Sequence, residues 1–527
     1  ANTTGTQNVA VGALALDANT TASNNTAIGY FALSGNTTGT RNNALGDAAL
    51  SLNTTGDDNT ALGGYSLATN TTGSDNTAVG SYALNKSTTA SNNTAVGYLS
   101  LFENTTGHSN TAVGKGVMQA NTTGHSNVAV GQAALNANDE GINNTAVGED
   151  ALGANTTADY NTAVGRLALG SVTTQGNLTA LGASALTANT TGAYGVAVGY
   201  NALAGNTTGE ANTAVGYVAL TANTTGAYCV AVGSYALDAN TTANNNTAVG
   251  YAALTANTTG MSNTAVGKDV LLVSTTGINN CGLGVNALEA NTTGSNNTAL
   301  GKQALSLNTI ANDNTAVGHY ALADNTTGVR NVGVGNSALK ANATGVDNVA
   351  IGYRALDTQT DGDHNTAIGS FALDSNTADH NTAIGYQALE DNTTGSTNVA
   401  VGNYALTHNT TASYNTGVGY RALDSNQTGT RNTAVGYKAL EDTGNGNDNT
   451  AVGWQALDDC ASSNNTAVGS GALKLMTTGS ENTAVGKGAL AANTTASNNV
   501  AVGYNCLDEN TTGAENVAIG DDALGAN

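Results

Sequence analysis

Proline is missing from all 527 residues, so no proline-rich linker divides the chain. Aromatic residues make up only 4%, and 10% of residues carry charge, against roughly a quarter in an average globular protein. That usage rejects the roughly three or four ordinary domains the length would otherwise imply. Lys and Arg number 14 against 37 Asp and Glu, a net charge of −23, and the basic residues form no cluster. A phosphate-binding surface needs such a cluster, so the composition excludes wrapping of nucleic acid and disfavours an anionic membrane surface. No stretch is long and apolar enough to span a bilayer as a helix. Cys229, Cys281, Cys460 and Cys506 include no CxxC pair and no histidine at metal-ligand spacing. Disordered chains are poor in apolar residues and rich in charge, whereas 40% of this chain is hydrophobic and recurs in strict register.

What is present is a repeat. Asn-Thr-Ala-Val-Gly returns with its glycine at Gly12, Gly29, Gly46 and onward to Gly520, in 28 steps of 17 residues and two of 16, making 31 repeats. The consensus is N-T-A-V-G-Y-x-A-L-x-x-N-T-T-G-x-x, numbered from position 1 at its first Asn. It fills 1–527 as a single uninterrupted array. The chain opens at Ala1 and closes at Gly525-Ala526-Asn527 within repeats, without atypical capping ends. The expectation is a segment of a longer fibre protein, open at both ends.

The two short steps, Gly369 to Gly385 and Gly453 to Gly469, lose their residue from the Asn-Thr-Thr-Gly part. Loops tolerate length changes and strands in register do not, so Asn-Thr-Thr-Gly is the turn and Asn-Thr-Ala-Val-Gly the strand. Positions 2 and 4 share one strand face. Position 3, between them, admits only Ala or, at Gly282, Gly333 and Gly417, Gly, which implies close approach of another backbone. Position 9 is Leu in every repeat but one, where Met118 stands, as a buried ladder requires. Position 8 stays small, and positions 6 and 7 vary freely and are expected in solvent.

These features predict an all-β parallel β-solenoid, or β-roll, of 31 coils. Each coil is expected to bury one Leu, the Val-like residue of position 4 and some alanines. That is a thin core, a few kcal/mol of burial against a larger ordering cost. The Ala/Gly face is therefore expected to pack several chains around a common axis as a homotrimer, with a monomeric solenoid as the alternative. At about 4.8 Å per coil the array makes a rod of roughly 150 Å. At that spacing Cys229 and Cys281, three coils apart, exceed the roughly 7 Å limit for a disulfide.

Arrays such as Asn25-Thr26-Ala27-Ile28-Gly29-Tyr30, followed by Ala32-Leu33 and Asn36-Thr37-Thr38-Gly39, resemble repeats of bacteriophage tail-fibre proteins. The form Asn127-Val128-Ala129-Val130-Gly131 is similar to the Ser-Val-Ala-Ile-Gly signature of trimeric autotransporter adhesin heads of the YadA type. The resemblance covers the whole chain. It implies a left-handed homotrimeric β-roll acting as an extracellular structural shaft, a virion tail fibre for host attachment; the alternative is an adhesin head or filament of a bacterial cell surface. The 17-residue repeat departs from the adhesin pattern by its added Asn-Thr-Thr-Gly turn.

No catalytic constellation is present. His108, His125, His319, His364, His380 and His408 fall at variable positions without a partnered Ser, Cys or carboxylate at any repeated offset. Neither a phosphate-binding GxxxxGK[ST] nor a calcium-binding GGxGxD nonapeptide occurs. No enzyme, cofactor or metal site is expected, beyond adventitious cations at acidic pairs such as Asp57-Asp58 or Asp521-Asp522. Binding to a cell-surface glycan or receptor is assigned to the aromatics at positions 6 and 7: Tyr30, Phe31, Tyr82, Tyr98, Tyr235 and Trp454. The Asn-Thr-Thr and Asn-Asn-Thr triplets match the N-glycosylation acceptor. The paired threonines run into a Gly turn and do not form the flat row that an ice-binding solenoid presents.

Overall fold

The computed structural model describes residues 2–442 and 444–525; Ala1, Thr443 and the closing Ala526-Asn527 lie outside the described residues. The chain divides into two compact units, Ala1–Ser262 and Asn263–Asn527. Each is an all-β parallel solenoid; together they make about 30 turns, with no helix among the described residues. The first unit holds strands β1 (Val9–Val11) to β15 (Thr247–Val249), the second β16 (Thr264–Val266) to β31 (Val517–Ile519).

Every strand comprises positions 2 to 4, and within each unit successive strands pair in parallel at the same positions. Thr111 opposes Val128, Ala112 opposes Ala129 and Val113 opposes Val130. The short repeats keep this register: Thr366 opposes Thr382 and Thr450 opposes Thr466. The turn absorbs the deletion, with Asn376 Nδ2 donating to Ala378 O at 2.7 Å, where other repeats reach the residue three positions on.

The interior lies between position 3 and position 9. A Cβ built on Gly333 stands 3.3 Å from Leu322 Cγ and 3.1 Å from Ala338 O. Leu152, Ala146 and Ala151 are fully buried, and so are their equivalents in most other repeats. Two expectations are corrected. The Val-like residue of position 4 is not core, because the pleat that sends position 3 inward sends positions 2 and 4 outward; Val164 is 37% exposed and Leu181 39%. Nor is the Ala/Gly face free to receive another chain: its close neighbours are the leucine and the position 8 carbonyl of the same chain.

Two asparagine ladders satisfy the polar backbone that such narrow coils bury. At position 1, Asn127 accepts at Oδ1 from the Asn144 N–H (2.9 Å) and donates from Nδ2 to Gly141 O (2.8 Å). At position 12, Asn121 donates to Gly124 O in its own turn (2.9 Å) and to Asn104 Oδ1 one coil back (2.7 Å). Buried polar groups are costly unless paired, which explains why these positions so rarely vary. Cys229 is a position 1 substitute: its N–H donates to Asn212 Oδ1 at 2.9 Å and its thiol to Ala243 O at 3.4 Å. All four cysteines are free.

The glycine of position 5 adopts φ between 123° and 145° throughout. A Cβ on Gly148 would stand 2.6 Å from Gly165 O. Position 15 is equally crowded, with Gly56 O 2.3 Å from a Cβ on Gly39, yet Ala22, Ala90 and Ala158 occupy it. Backbone conformation, rather than space alone, therefore keeps position 5 glycine. Positions 7, 9 and 17 are also left-handed despite carrying side chains; φ is 56° at Val218, 51° at Leu152 and 60° at Tyr160. These reversals let the corners stack as well: Leu152 N–H donates forward to Ala168 O (3.0 Å), and Asp150 N–H donates backward to Gln132 O (3.1 Å).

Candidate functional site

Positions 6 and 7 directly follow the invariant glycine, and the left-handed turn at position 7 carries the chain round a corner whose side chains project outward. Tyr30, Tyr98 and Trp454 occupy position 6; Phe31, Tyr82 and Tyr235 occupy position 7. All are exposed except Phe31, which is half-buried. The structure does not gather these six. It distributes them over separate ring columns formed because successive coils place their corners one above another. Tyr30 meets Phe31 edge to face at 4.4 Å. Tyr82 stacks on Tyr65 at 5.4 Å and meets Tyr98 edge to face at 6.4 Å. Tyr235 sits between Tyr217 and Tyr251 at 5.5 and 6.0 Å. Trp454 ends the longest column, which runs through Tyr353, Phe371, Tyr386, Tyr404, Tyr420 and Tyr437 with centroids 5.3 to 6.4 Å apart.

Beside this long column, in the second unit, position 10 carries Asp357, Asp374, Glu390, Asp424, Glu441 and Asp458. Position 7 supplies their partners. Arg354 Nε donates to Asp357 at 2.8 Å, and its Nη2 lies 3.3 Å from Asp374. Arg421 reaches Asp424 at 2.8 Å and Glu441 at 2.7 Å, and Lys438 reaches Glu441 at 2.9 Å. Gln387 donates to Glu390, and Gln455 to Asp458 at 3.0 Å. Carboxylates one coil apart, partly withdrawn from water, resist ionisation. Burial pushes Asp374 up; burial and then Asp391 push Glu390 up; burial, then Glu441 and Asp459, push Asp458 up to about 6.

Within this strip lies a cleft of about 350 Å³, lined by Gln387, Glu390, Tyr404, His408, Tyr420, Arg421 and Asp424 among others. Asp424 is only 2% exposed, and its Oδ1 makes no hydrogen bond; His408 Nδ1 is 3.5 Å away. None of the six residues singled out from sequence lines this cleft. The signal that would have found it is the coincidence, in six of the seven repeats from Gly352 to Gly453, of an aromatic at position 6 or 7 with an acid at position 10; the Gly402 repeat has Thr407 there.

The other sequence features resolve into structural pairs. His108 and His125 stack at 4.6 Å, as do His364 and His380 at 5.0 Å. Asp58 pairs with Arg41 at 2.6 Å, and Asp57 accepts from Thr40 N–H at 2.6 Å. Among the described residues no three His, Cys, Asp or Glu are grouped to hold a metal ion. The acceptor triplets fall into two classes. Position 12 asparagines such as Asn36 and Asn53 are wholly buried with their amides engaged in the ladder, whereas Asn24, Asn92, Asn143, Asn245, Asn296 and Asn464, at position 17, are exposed. No protein-family model matches the chain, and no curated protein matches it.

Proposed function

We propose that this chain is the structural shaft of an extracellular surface fibre, a phage tail-fibre-like spacer that assembles as a homotrimer and does no chemistry. The observation that supports it is the outward face of the strands. Positions 2 and 4 carry no charged residue in any of the 31 repeats, while nearly every other outward position accepts Asp, Lys or Arg somewhere. Each coil leaves a branched side chain part-exposed there, such as Val130 at 37% and Ile351 at 40%. Summed along either unit, that surface exceeds the roughly 300–600 Å² largest apolar patch of a typical monomer. A spacer needs many identical coils and a dry face on which copies meet; a monomer in water has no use for the second. Trimerisation through this face replaces the Ala/Gly face as the route to a thicker core.

Sedimentation equilibrium with circular dichroism tests the proposal. The expected result is three copies, falling to one in the triple variant Val147→Lys, Val164→Lys, Leu181→Lys with the β-sheet spectrum unchanged. A wild-type chain that stays monomeric at micromolar concentration refutes the assembly.

A further inference from the structure

We infer that three stacked tyrosine pairs, Tyr65–Tyr82, Tyr200–Tyr217 and Tyr420–Tyr437, are sites of oxidative phenol coupling, where a peroxide-driven haem oxidant joins neighbouring coils by a carbon–carbon bond. The chain is the substrate of this modification and not its catalyst. The bond lies within one chain, so it is independent of how copies associate. The stacking follows from register. Each coil is nearly a translation of the one before, so rings at the same position lie parallel, whereas a ring at position 6 crosses one at position 7. Of the 19 tyrosines, only these three pairs share a position in consecutive repeats. Their interplanar angles are 6°, 14° and 13°, with centroids 5.4, 5.6 and 5.5 Å apart. Mixed pairs such as Tyr82–Tyr98 (81°), Tyr217–Tyr235 (75°) and Tyr404–Tyr420 (86°) meet edge to face.

All six rings are 37% to 52% exposed, so an oxidant reaches them and a side-chain rotation is open to them. Each phenol gives one electron to the oxidant and its proton to water. The two phenoxyl radicals then bond through one ortho carbon each, and the hydrogen on each of those carbons moves to its phenolic oxygen. The pair has lost two electrons and two protons, which reduce one hydrogen peroxide to two waters. Stacking favours this step because it holds two equivalent ring edges side by side, while an edge-to-face contact aims one edge at the other ring's centre. No disulfide joins the coils, since all four cysteines are free. A phenolic link between residues 17 apart closes a loop in the unfolded chain and stabilises the folded coils, as a disulfide of that span does.

The test treats the whole chain with a haem peroxidase and hydrogen peroxide, then reads dityrosine fluorescence and maps linked peptides by mass spectrometry. Each stacked pair is expected as an intrachain product. Tyr217 supplies an internal comparison, because Tyr200 and Tyr235 lie at nearly equal distances from it, 5.6 and 5.5 Å. The Tyr200–Tyr217 product should exceed Tyr217–Tyr235 at least about fivefold. The paired variant Ser234→Tyr, Tyr235→Ser moves that third ring into the shared position; it should add a coupling to Tyr217 with an unchanged circular dichroism spectrum. Coupled protein should unfold at a higher denaturant midpoint than the variant Tyr65→Phe, Tyr200→Phe, Tyr420→Phe treated alike. Coupling led instead by the most exposed rings, Tyr194 at 66% and Tyr228 at 60%, equal yields of the two Tyr217 products, linkage between chains only, or no dityrosine would each overturn the assignment.

Discussion

Leucine is a poor residue for positive φ, yet every repeat places its Leu or Met there, buried in all but the last. The conformation costs an L-residue roughly 1–2 kcal/mol, and it persists because the reversal is what points the side chain at the position 3 alanine. Position 7 bears the same cost without that return, since its side chain faces outward. Chain variation agrees: Gly116, Gly471 and Gly488 all stand at position 7 with φ of 63° to 69°. Val218 is the least suited residue found there, β-branched with φ 56°. Val218→Asn is therefore expected to stabilise the first unit by about 1 kcal/mol, read from chemical denaturation. Gly148→Ala should have the opposite sign and be larger, about 3 kcal/mol or more, because strain at that φ adds to a clash with the Gly165 carbonyl. An unchanged denaturation midpoint for Gly148→Ala would contradict the conformational account.

A single coil is one three-residue strand and three corners, and its two faces differ in kind. The inward side holds one Leu against alanines; the outward side holds Thr or Val and a branched aliphatic. Leu152→Ala should cost about 3 kcal/mol by removing the only large interior group of its coil. Val147→Ala, three residues beyond the buried Asn144 yet on the outward face, should cost less than about 1 kcal/mol when measured on monomers. Equal losses for the two would restore position 4 to the core and remove the outward apolar face with it. The polar ladders work at the same scale. Asn127→Ala strips the side-chain acceptor from the Asn144 N–H and removes one of the two donors to the Gly141 carbonyl, Asn138 keeping the other, so about 2 kcal/mol is expected, again from denaturation.

Across the whole molecule, charge sets the response to pH. Asp374, Glu390 and Asp458 are pushed up by burial, Asp458 to about 6. A carboxylate whose folded pKa exceeds its unfolded value of about 4 binds its proton more tightly when folded, so stability falls as pH rises between those values. The net charge of −23 acts in the same direction through self-repulsion. Asp58, Asp347 and Asp448, held low by hydrogen bonds from Arg41, Arg330 and Arg431, act the other way. Their contribution is present above the ordinary carboxylate range and is lost as pH falls below it. Scanning calorimetry should therefore show Tm rising from about pH 7.5 to about pH 5 and declining at stronger acidity, with a smaller rise in Asp458→Asn. A Tm that increases steadily towards pH 8 would refute the assignment of these groups.

The period, the strand at Asn-Thr-Ala-Val-Gly, the turn at Asn-Thr-Thr-Gly and the leucine ladder were all legible in the chain, because 31 copies of one unit expose any position whose environment forbids variation. Invariance reports a constraint without its direction. That position 3 looks at its own leucine rather than a neighbouring chain, and that position 4 looks at solvent, depended on which way a three-residue strand is turned at its corners. The cleft beside Tyr404 was hidden for a related reason: its walls come from Gln387, Tyr404 and Arg421, separated in sequence by whole coils and joined only when those coils stack. Repetition determines the coil, and stacking determines what faces what.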